Sequence, residues 1–398
     1  MAVETYIALA GYALVVLAAF RRSPQFGLFG VVVLGLPTWG GAVLREHLGV
    51  LGGAVLPLQL LVDLHFGALL ARGGMRPWAF RWLVSVPALW FVAATFLALP
   101  WTVAASFGAD VWLAWLPFAA ATAGLVQTLW TREETLDVRL DNERDAGPLA
   151  RCPEIVVRST KAATGRPLSI VQITDPHLGP FMSVARLRRI CERAVARDPD
   201  LILITGDLMT MESQDVGTVM AALRPLKGFT GKVYACHGNH DLEARDVVRQ
   251  ALTRLGIRLL VDESVVVQTP AGAVQILGSD FVWRNRDVHL QELCDTNPRI
   301  DGALRVILLH DPGAFRHLPA GEGDLVLSGH THGGQLGLIS LGLRGTFVSL
   351  FSKIPDHGMW ARGADRLYVH RAQGVYGFPL RLGVPGEQSL MRVYSRAQ

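Results

Sequence analysis

Five short polar runs in the C-terminal part of the chain carry side chains suited to binding metals. They are Asp175-Pro176-His177, Gly206-Asp207, Gly238-Asn239-His240-Asp241, His310-Asp311 and Gly329-His330-Thr331-His332-Gly333-Gly334-Gln335. Imidazole combined with carboxylate and amide oxygen suits first-row divalent metals such as Mn, Fe or Zn. Each run alone is ordinary: Asp-x-His is common, Gly-Asp is a turn and Gly-Asn-His is a loop. Five in order, each after an apolar run, are hard to reconcile with chance. In extended chain, residues i and i+2 face the same way. Asp175 with His177, and His330 with His332, are therefore expected to face a common centre. Glycine ahead of Asp207, Asn239 and His330 is expected to let the backbone turn sharply.

The elements that must position these residues are legible as alternation. Leu168–Ile173, Leu201–Ile204, Val233–Ala235, Arg305–Leu309 and Asp324–Leu327 read as short buried strands. Residues 183–197, 213–224 and 243–255 read as amphipathic helices, so the pattern is that of an α/β sheet. Each polar run follows one strand. In α/β sheets, sites form at the carboxyl ends of strands, which would gather all five runs along one edge.

The rest of the chain is different. Half of the 398 residues are hydrophobic, and the mean hydropathy is +0.31, too apolar for an ordinary soluble domain. The excess lies in residues 1–131, expected to form a transmembrane helical region with five apolar stretches at about 5–20, 25–44, 49–71, 82–105 and 111–130, each near the ~20 residues that span a bilayer. The first lacks the basic leader and small-residue cleavage site of a signal peptide and is read as a retained helix. Arg21 and Arg22, and then Arg72, Arg76 and Arg81, mark cytoplasmic loops by the positive-inside rule, so a cytoplasmic C-terminal domain in a multi-pass cell-membrane protein is expected. Asp63 and His65 in the third stretch are read as hydrogen-bonded within the bundle, because no second intramembrane charge offers a relay. Residues 132–165 read as a linker leading to a domain over 166–398.

The net charge of +4 and a pI near 9.0 come from scattered arginines without a basic run, so no nucleic-acid partner is expected. Cys152, Cys191, Cys236 and Cys294 lie far apart without CxxC, so neither a disulfide framework nor a zinc knuckle is indicated. Nothing indicates an obligate protein partner.

The order Asp-x-His, Gly-Asp, Gly-Asn-His-Asp, His and Gly-His-x-His resembles the signature of the calcineurin-like metallophosphoesterases, over about residues 165–395. The resemblance implies a two-sheet α/β sandwich flanked by helices. It implies a first metal on Asp175, His177, Asp207 and His332, and a second on Asp207, Asn239, His310 and His330, with Asp207 bridging. His240 matches the family's catalytic histidine. Asp311 is expected either to support a ligand or to cap a helix. The Gly-His-Thr-His-Gly-Gly-Gln form and the apolar N-terminal region resemble a membrane-anchored bacterial branch that includes UDP-2,3-diacylglucosamine pyrophosphatase-type enzymes, as does the late run Leu367–Arg371 through Arg381–Glu387. Leu208-Met209-Thr210 departs from the Asp-Arg-Gly of protein serine/threonine phosphatases, which argues against that activity.

The implied chemistry is hydrolysis of a phosphodiester or pyrophosphate bond. Two divalent ions lower the pKa of a bridging water, which attacks phosphorus while His240 serves the leaving oxygen. A lipid-linked substrate is expected from the membrane region and from the apolar stretch Leu336–Phe351. That stretch is read first, however, as strands closing the second sheet. The alternatives are a tethered phosphodiesterase for soluble nucleotides and a metal-binding membrane sensor. Retention of every ligand and of His240 argues against the sensor.

Overall fold

The computed structural model describes residues 3–140, 149–152 and 166–394. The chain divides into two compact units. One is Met1–Leu129 with Tyr376–Leu382, and the other is Trp130–Val375 with Gly383–Gln398.

The first unit is helical. Three of its stretches, Val3–Arg22, Pro24–Ala71 and Trp78–Leu97, are long and apolar enough to cross a membrane, and Leu116–Leu129 is a shorter apolar helix. The second stretch is not one regular helix. Between Pro24–Leu44 and Val55–Ala71 it tightens to a 3₁₀ segment, Arg45–Ala54, broken at Gly49 with φ +56°. These helices share a core that includes Leu34, Leu44, Val62, Ala88 and Phe91. Asp63 is buried within it, and Gln59 Nε2 donates to its Oδ1 at 3.2 Å. Tyr376–Leu382 clusters with this unit although it falls inside the range expected for the catalytic domain. There the Arg381 N–H donates to Thr128 Oγ1 at 2.7 Å.

The second unit is built on strands β1 (Thr131–Arg139), β2 (Ala150–Arg151), β3 (Leu168–Ile173), β4 (Leu201–Ile204), β5 (Val233–Ala235), β6 (Arg258–Leu259), β7 (Glu263–Thr269), β8 (Gly272–Gly278), β9 (Leu304–Leu308), β10 (Leu325–Ser328), β11 (Gly358–Arg362), β12 (Asp365–Val369) and β13 (Gly386–Tyr394). They form two mixed sheets, ordered β1-β13-β3-β4-β5-β6 and β2-β11-β12-β10-β9-β8-β7. The stretch expected to be a linker thus begins as β1, which pairs in parallel with β13 from Thr131↔Gly386 to Arg139↔Tyr394. Ala150–Arg151 in the same stretch forms β2, and 141–148 and 153–165 lie outside the described residues.

Period-two side-chain alternation decides how the layers stack. Ile170, Leu201 and Leu203 of the first sheet point into one core with Ile276, Val306, Leu308, Leu325 and Leu327 of the second. Their neighbours Val171, Ile202 and Ile204 point the other way, onto helices carrying Leu187, Ile190, Val219, Val248 and Leu252. Ile307, Val326 and Val369 likewise face out, onto Leu290, Leu293 and Phe315. The strands are apolar on both faces because both faces are covered. The result is a helix–sheet–sheet–helix sandwich. Val184–Ala196 shows how a helix joins it: Ser183 caps its start by accepting from the Arg186 N–H at 3.2 Å, and Leu187, Ile190, Cys191 and Ala194 form its buried stripe.

One apolar stretch differs from its first reading. Residues 336–351 are not sheet-closing strands: they hold a 3₁₀ turn, Ile339–Leu341, and a short helix, Phe347–Phe351. Gly337, Gly342 and Gly345 interrupt the alternation that a strand would need.

Candidate metal centre

The five polar runs lie just beyond the carboxyl ends of β3, β4, β5, β9 and β10, and the two sheets bring those ends together. Gln172 spans the sheets, with Nε2 donating to Thr205 Oγ1 at 2.8 Å and to Ser328 O at 3.0 Å. Gln373 anchors the end of β3 by accepting from the Thr174 N–H at 2.8 Å.

Two ligand groups result. Asp175, His177 and His332 converge, all buried, and Asp207, His310 and His330 converge beside them, with the ligand atoms in each group within 4.8 Å of one another. Asp207 Oδ2 faces both groups, at 3.5 Å from His177 Nε2 and 3.3 Å from His310 Nε2. Its other oxygen, Oδ1, accepts from the His240 N–H at 2.8 Å. This ties down the loop that carries Asn239. Asn239 Oδ1 is itself buried without a hydrogen-bond partner.

The histidines are aimed by what holds their other nitrogen. His177 Nδ1 donates to Met209 O at 3.3 Å and His310 Nδ1 to Thr205 O at 2.6 Å. A carbonyl only accepts, so each ring carries a hydrogen on Nδ1 and turns its Nε2 toward the centre. His177 Nε2 and His332 Nε2 approach to 3.2 Å. Two acceptors that close need a proton or a cation between them. The donor set, the convergent nitrogens and the unsatisfied Asn239 oxygen all fit divalent cations.

The electrostatics agree. Burial raises the Asp175 carboxyl, but His310 and His332 outweigh it and hold it well below the usual carboxylate range. Asp207 is likewise held low against burial by His310 and His177. Burial takes His177 down to about 3, so its imidazole is neutral, the form in which it could hold a metal. Burial also lowers His310, but Asp207 and Asp175 reverse this and push it up to about 10. The carboxylates thus draw positive charge strongly into this pocket.

The backbone here is unusual. Asp175, His177, Asp207, His330 and His332 all have left-handed φ, between +46° and +67°. The extended geometry expected for Asp-x-His and His-x-His is therefore absent, and the side chains converge because each residue reverses the chain. Such positions are costly for residues with a Cβ and cluster at functional sites. Two of the expected turn glycines are required for a different reason. A Cβ on Gly238 would collide with the Asp207 carboxylate, and one on Gly329 with the Asp175 carboxylate.

Several supports gave no sequence signal beyond proximity. Asp241 accepts three backbone N–H groups, from Asp207 at 2.7 Å, Leu208 at 2.9 Å and Gly238 at 2.9 Å, and so locks two of the loops together. Burial and the nearby Asp207 push its pKa up to about 6. Glu243 accepts from His240 Nδ1 at 3.2 Å; burial lowers the His240 pKa, but Glu243 outweighs it and the net shift is upward. His240 packs edge-on to His177, with centroids 5.3 Å apart. Asp311 caps Pro312–His317 through the Gly313 N–H at 2.7 Å and pairs with Arg286 at 2.7 Å, which is the capping alternative.

Residues 168–334 match the family model for calcineurin-like phosphoesterases. A metallophosphoesterase of Helicobacter pylori is 30% identical over 243 residues, which cover 58% of this chain and 61% of the relative. Both findings agree with the resemblance carried by the five polar runs. Phosphodiesterase YaeI of Escherichia coli is 28% identical over 234 residues, 57% of this chain and 82% of that protein. A transmembrane protein with metallophosphoesterase domain from Danio rerio is 27% identical over 234 residues, 55% of this chain and 52% of that protein. The chain thus spans about three-fifths of the Helicobacter relative and half of the Danio one. This chain too has helices long and apolar enough to cross a membrane.

Two measurements check the centre. Mn²⁺ should raise the thermal midpoint of the purified chain, since a ligand at 100 times its Kd adds about 2.7 kcal/mol. Asp241→Asn, which turns an amide N–H₂ toward backbone donors, should shift that Mn²⁺ titration by about 10–100-fold, the usual cost of losing a group that orients ligands.

Proposed function

We propose that this chain is a metal-dependent phosphoesterase that hydrolyses a phosphodiester or pyrophosphate bond. The observation that carries the proposal is Asp207, whose carboxylate faces both ligand groups at once. In this reading the first metal is held by Asp175, His177, Asp207 and His332, and the second by Asp207, Asn239, His310 and His330. Bound as a pair, Mn, Fe or Zn ions would polarise the phosphoryl oxygens and supply an activated water at neutral pH. The similarity to the phosphodiesterase YaeI supports the reaction class.

The chain's own residues do the rest. Asp175 accepts from Thr174 Oγ1 at 2.6 Å and from the His330 N–H at 3.0 Å, so its ligand oxygens are fixed before substrate arrives. His240, with Nδ1 on Glu243, presents Nε2 as the nitrogen to serve the leaving-group oxygen. A raised pKa keeps that nitrogen protonated nearer neutrality, as a proton donor requires.

The substrate is proposed to be lipid-linked, of the type of UDP-2,3-diacylglucosamine, because the chain carries its own membrane-length helices. The protein is proposed to be a multi-pass cell-membrane protein whose catalytic unit faces the cytoplasm, on the placement of Arg21, Arg22, Arg72, Arg76 and Arg81. One observation favours a soluble nucleotide instead. Exposed Trp283 packs on Phe281 at 4.7 Å, and Phe281 lies 6.0 Å from His310, so a base has an aromatic surface beside the metal ligands.

With Mn²⁺, the purified chain should hydrolyse bis-p-nitrophenyl phosphate, and Asp207→Asn should abolish this together with metal binding. Comparing a diacylglucosamine-type lipid with cyclic nucleotides separates the two substrate readings. His240→Ala should still bind metal yet lose roughly 10²–10⁴-fold in rate. That loss should shrink for p-nitrophenolate esters, which leave without a proton; an equal loss for all leaving groups would reduce His240 to an orienting role. For topology, a C-terminal alkaline phosphatase fusion should be inactive and a fluorescent-protein fusion bright; the reverse would place the catalytic unit outside.

A further inference from the structure

The segment after the Gly329–Gln335 loop is hydrogen-bonded at its base, apolar and basic. Its backbone is closed at the base: the Phe347 N–H donates to Leu336 O at 2.8 Å and the Leu338 N–H to Gly345 O at 2.9 Å. Thr346 caps the helix Phe347–Phe351 in a reciprocal box with Ser349 and donates from Oγ1 to the buried Asp356 at 2.5 Å. Yet the side chains face outward. Leu338, Leu341, Leu343, Phe347, Leu350, Phe351 and Ile354 are all exposed, Leu341, Leu350 and Phe351 by about three-quarters (75–76%). A loop this well tied down exposes such side chains through its geometry, and a cluster of them marks an interaction surface.

The charges on this segment are of one sign. Arg344 and Lys353 are exposed, and residues 336–355 contain no Asp or Glu. Leucines and phenylalanines flanked by basic residues are the composition of elements that lie in a bilayer interface, where apolar groups enter the acyl boundary and cations meet anionic headgroups. A bilayer asks only for this composition, and the proposed membrane anchoring by the chain's own helices would keep one within reach.

The projection is built on the metal loop. Gly334 packs so closely on Val348 N and the Thr346 side chain that a Cβ there would lie 3.1–3.2 Å from them. We infer that residues 336–354 dock into the interface of the membrane that holds the chain, setting the metal centre at headgroup depth, where phosphoesters of lipids lie. The inference rests on the proposed membrane anchoring and deepens the lipid-linked reading of the substrate.

The test uses the full chain reconstituted in bilayers containing anionic phospholipid. Leu350→Cys and, separately, Phe351→Cys are labelled with an environment-sensitive fluorophore, with Val266→Cys on exposed β7 as the control; the native cysteines are buried. Brominated acyl chains should quench both labels at least several-fold more than the control. Labels quenched no more than the control overturn the inference. Labels that are blue-shifted but blind to bromine also overturn it and assign the surface to a protein, whether a partner or a second copy. Hydrolysis of soluble bis-p-nitrophenyl phosphate, measured on the same samples, reports folding and the catalytic proposal separately. Its absence with quenching intact removes the catalytic reading and leaves the docking surface standing.

Discussion

Asp207 is a carboxylate buried between two sets of imidazoles, and the architecture around it follows from making that burial tolerable. An ionised carboxylate removed from water is costly unless opposite charge and hydrogen bonds replace the solvent. Here Oδ2 faces His177 and His310 while Oδ1 takes the His240 N–H. These partners come from loops after three different strands, β3, β9 and β5. No single sheet edge presents them all, because β9 lies in the other sheet. The shared inter-sheet core, with Leu203 and Leu308 packed together, is what holds the two edges in register. Gln172 fixes the alignment at the point where the sheets meet.

Bringing five loops to one point is paid for in backbone strain. Five of the candidate ligand residues sit at left-handed φ, each costing of the order of 1–3 kcal/mol. Two glycines give up a side chain so that carboxylates can pass. Asp241 then acts as a staple, its carboxylate gathering three N–H groups that would otherwise be orphaned in the turn after β4 and the loop after β5. The strain is tolerable because β3, β4, β9 and β10 are covered on both faces, and a fully buried frame is stiff enough to impose unfavourable conformations at its ends.

The sequence showed much of this and missed the rest for physical reasons. Short apolar strands such as Leu201–Ile204 and Leu325–Ser328 are legible because burial on both faces leaves an unbroken hydrophobic run. The candidate ligands are legible because a polar residue type in a fixed place after such a run has few other uses. Their backbone conformation is not legible: Asp175 and His177 fit an extended pattern equally well on paper, and only the turn geometry distinguishes the two. Gln373 and Glu243 are ordinary residue types whose importance lies in contacts, one of them across nearly two hundred residues of chain. Leu336–Phe351 was read first as strands because apolar content outweighed its glycines, whereas the glycines and the Thr346 cap decided the local structure.

A docking surface as small as this projection would hold a free soluble domain to a membrane only briefly, since a few side chains of partial insertion offset little of the entropy of capture. Tethering changes that balance. A domain joined to membrane-length helices in the same chain meets the bilayer at an effective concentration set by the connecting segment and not by its abundance, so a weak surface suffices. The surface is then free to serve orientation more than affinity. Its base on the turn His332–Gly334 means that whatever fixes the projection also fixes the direction from which a phosphoester can reach Asp207.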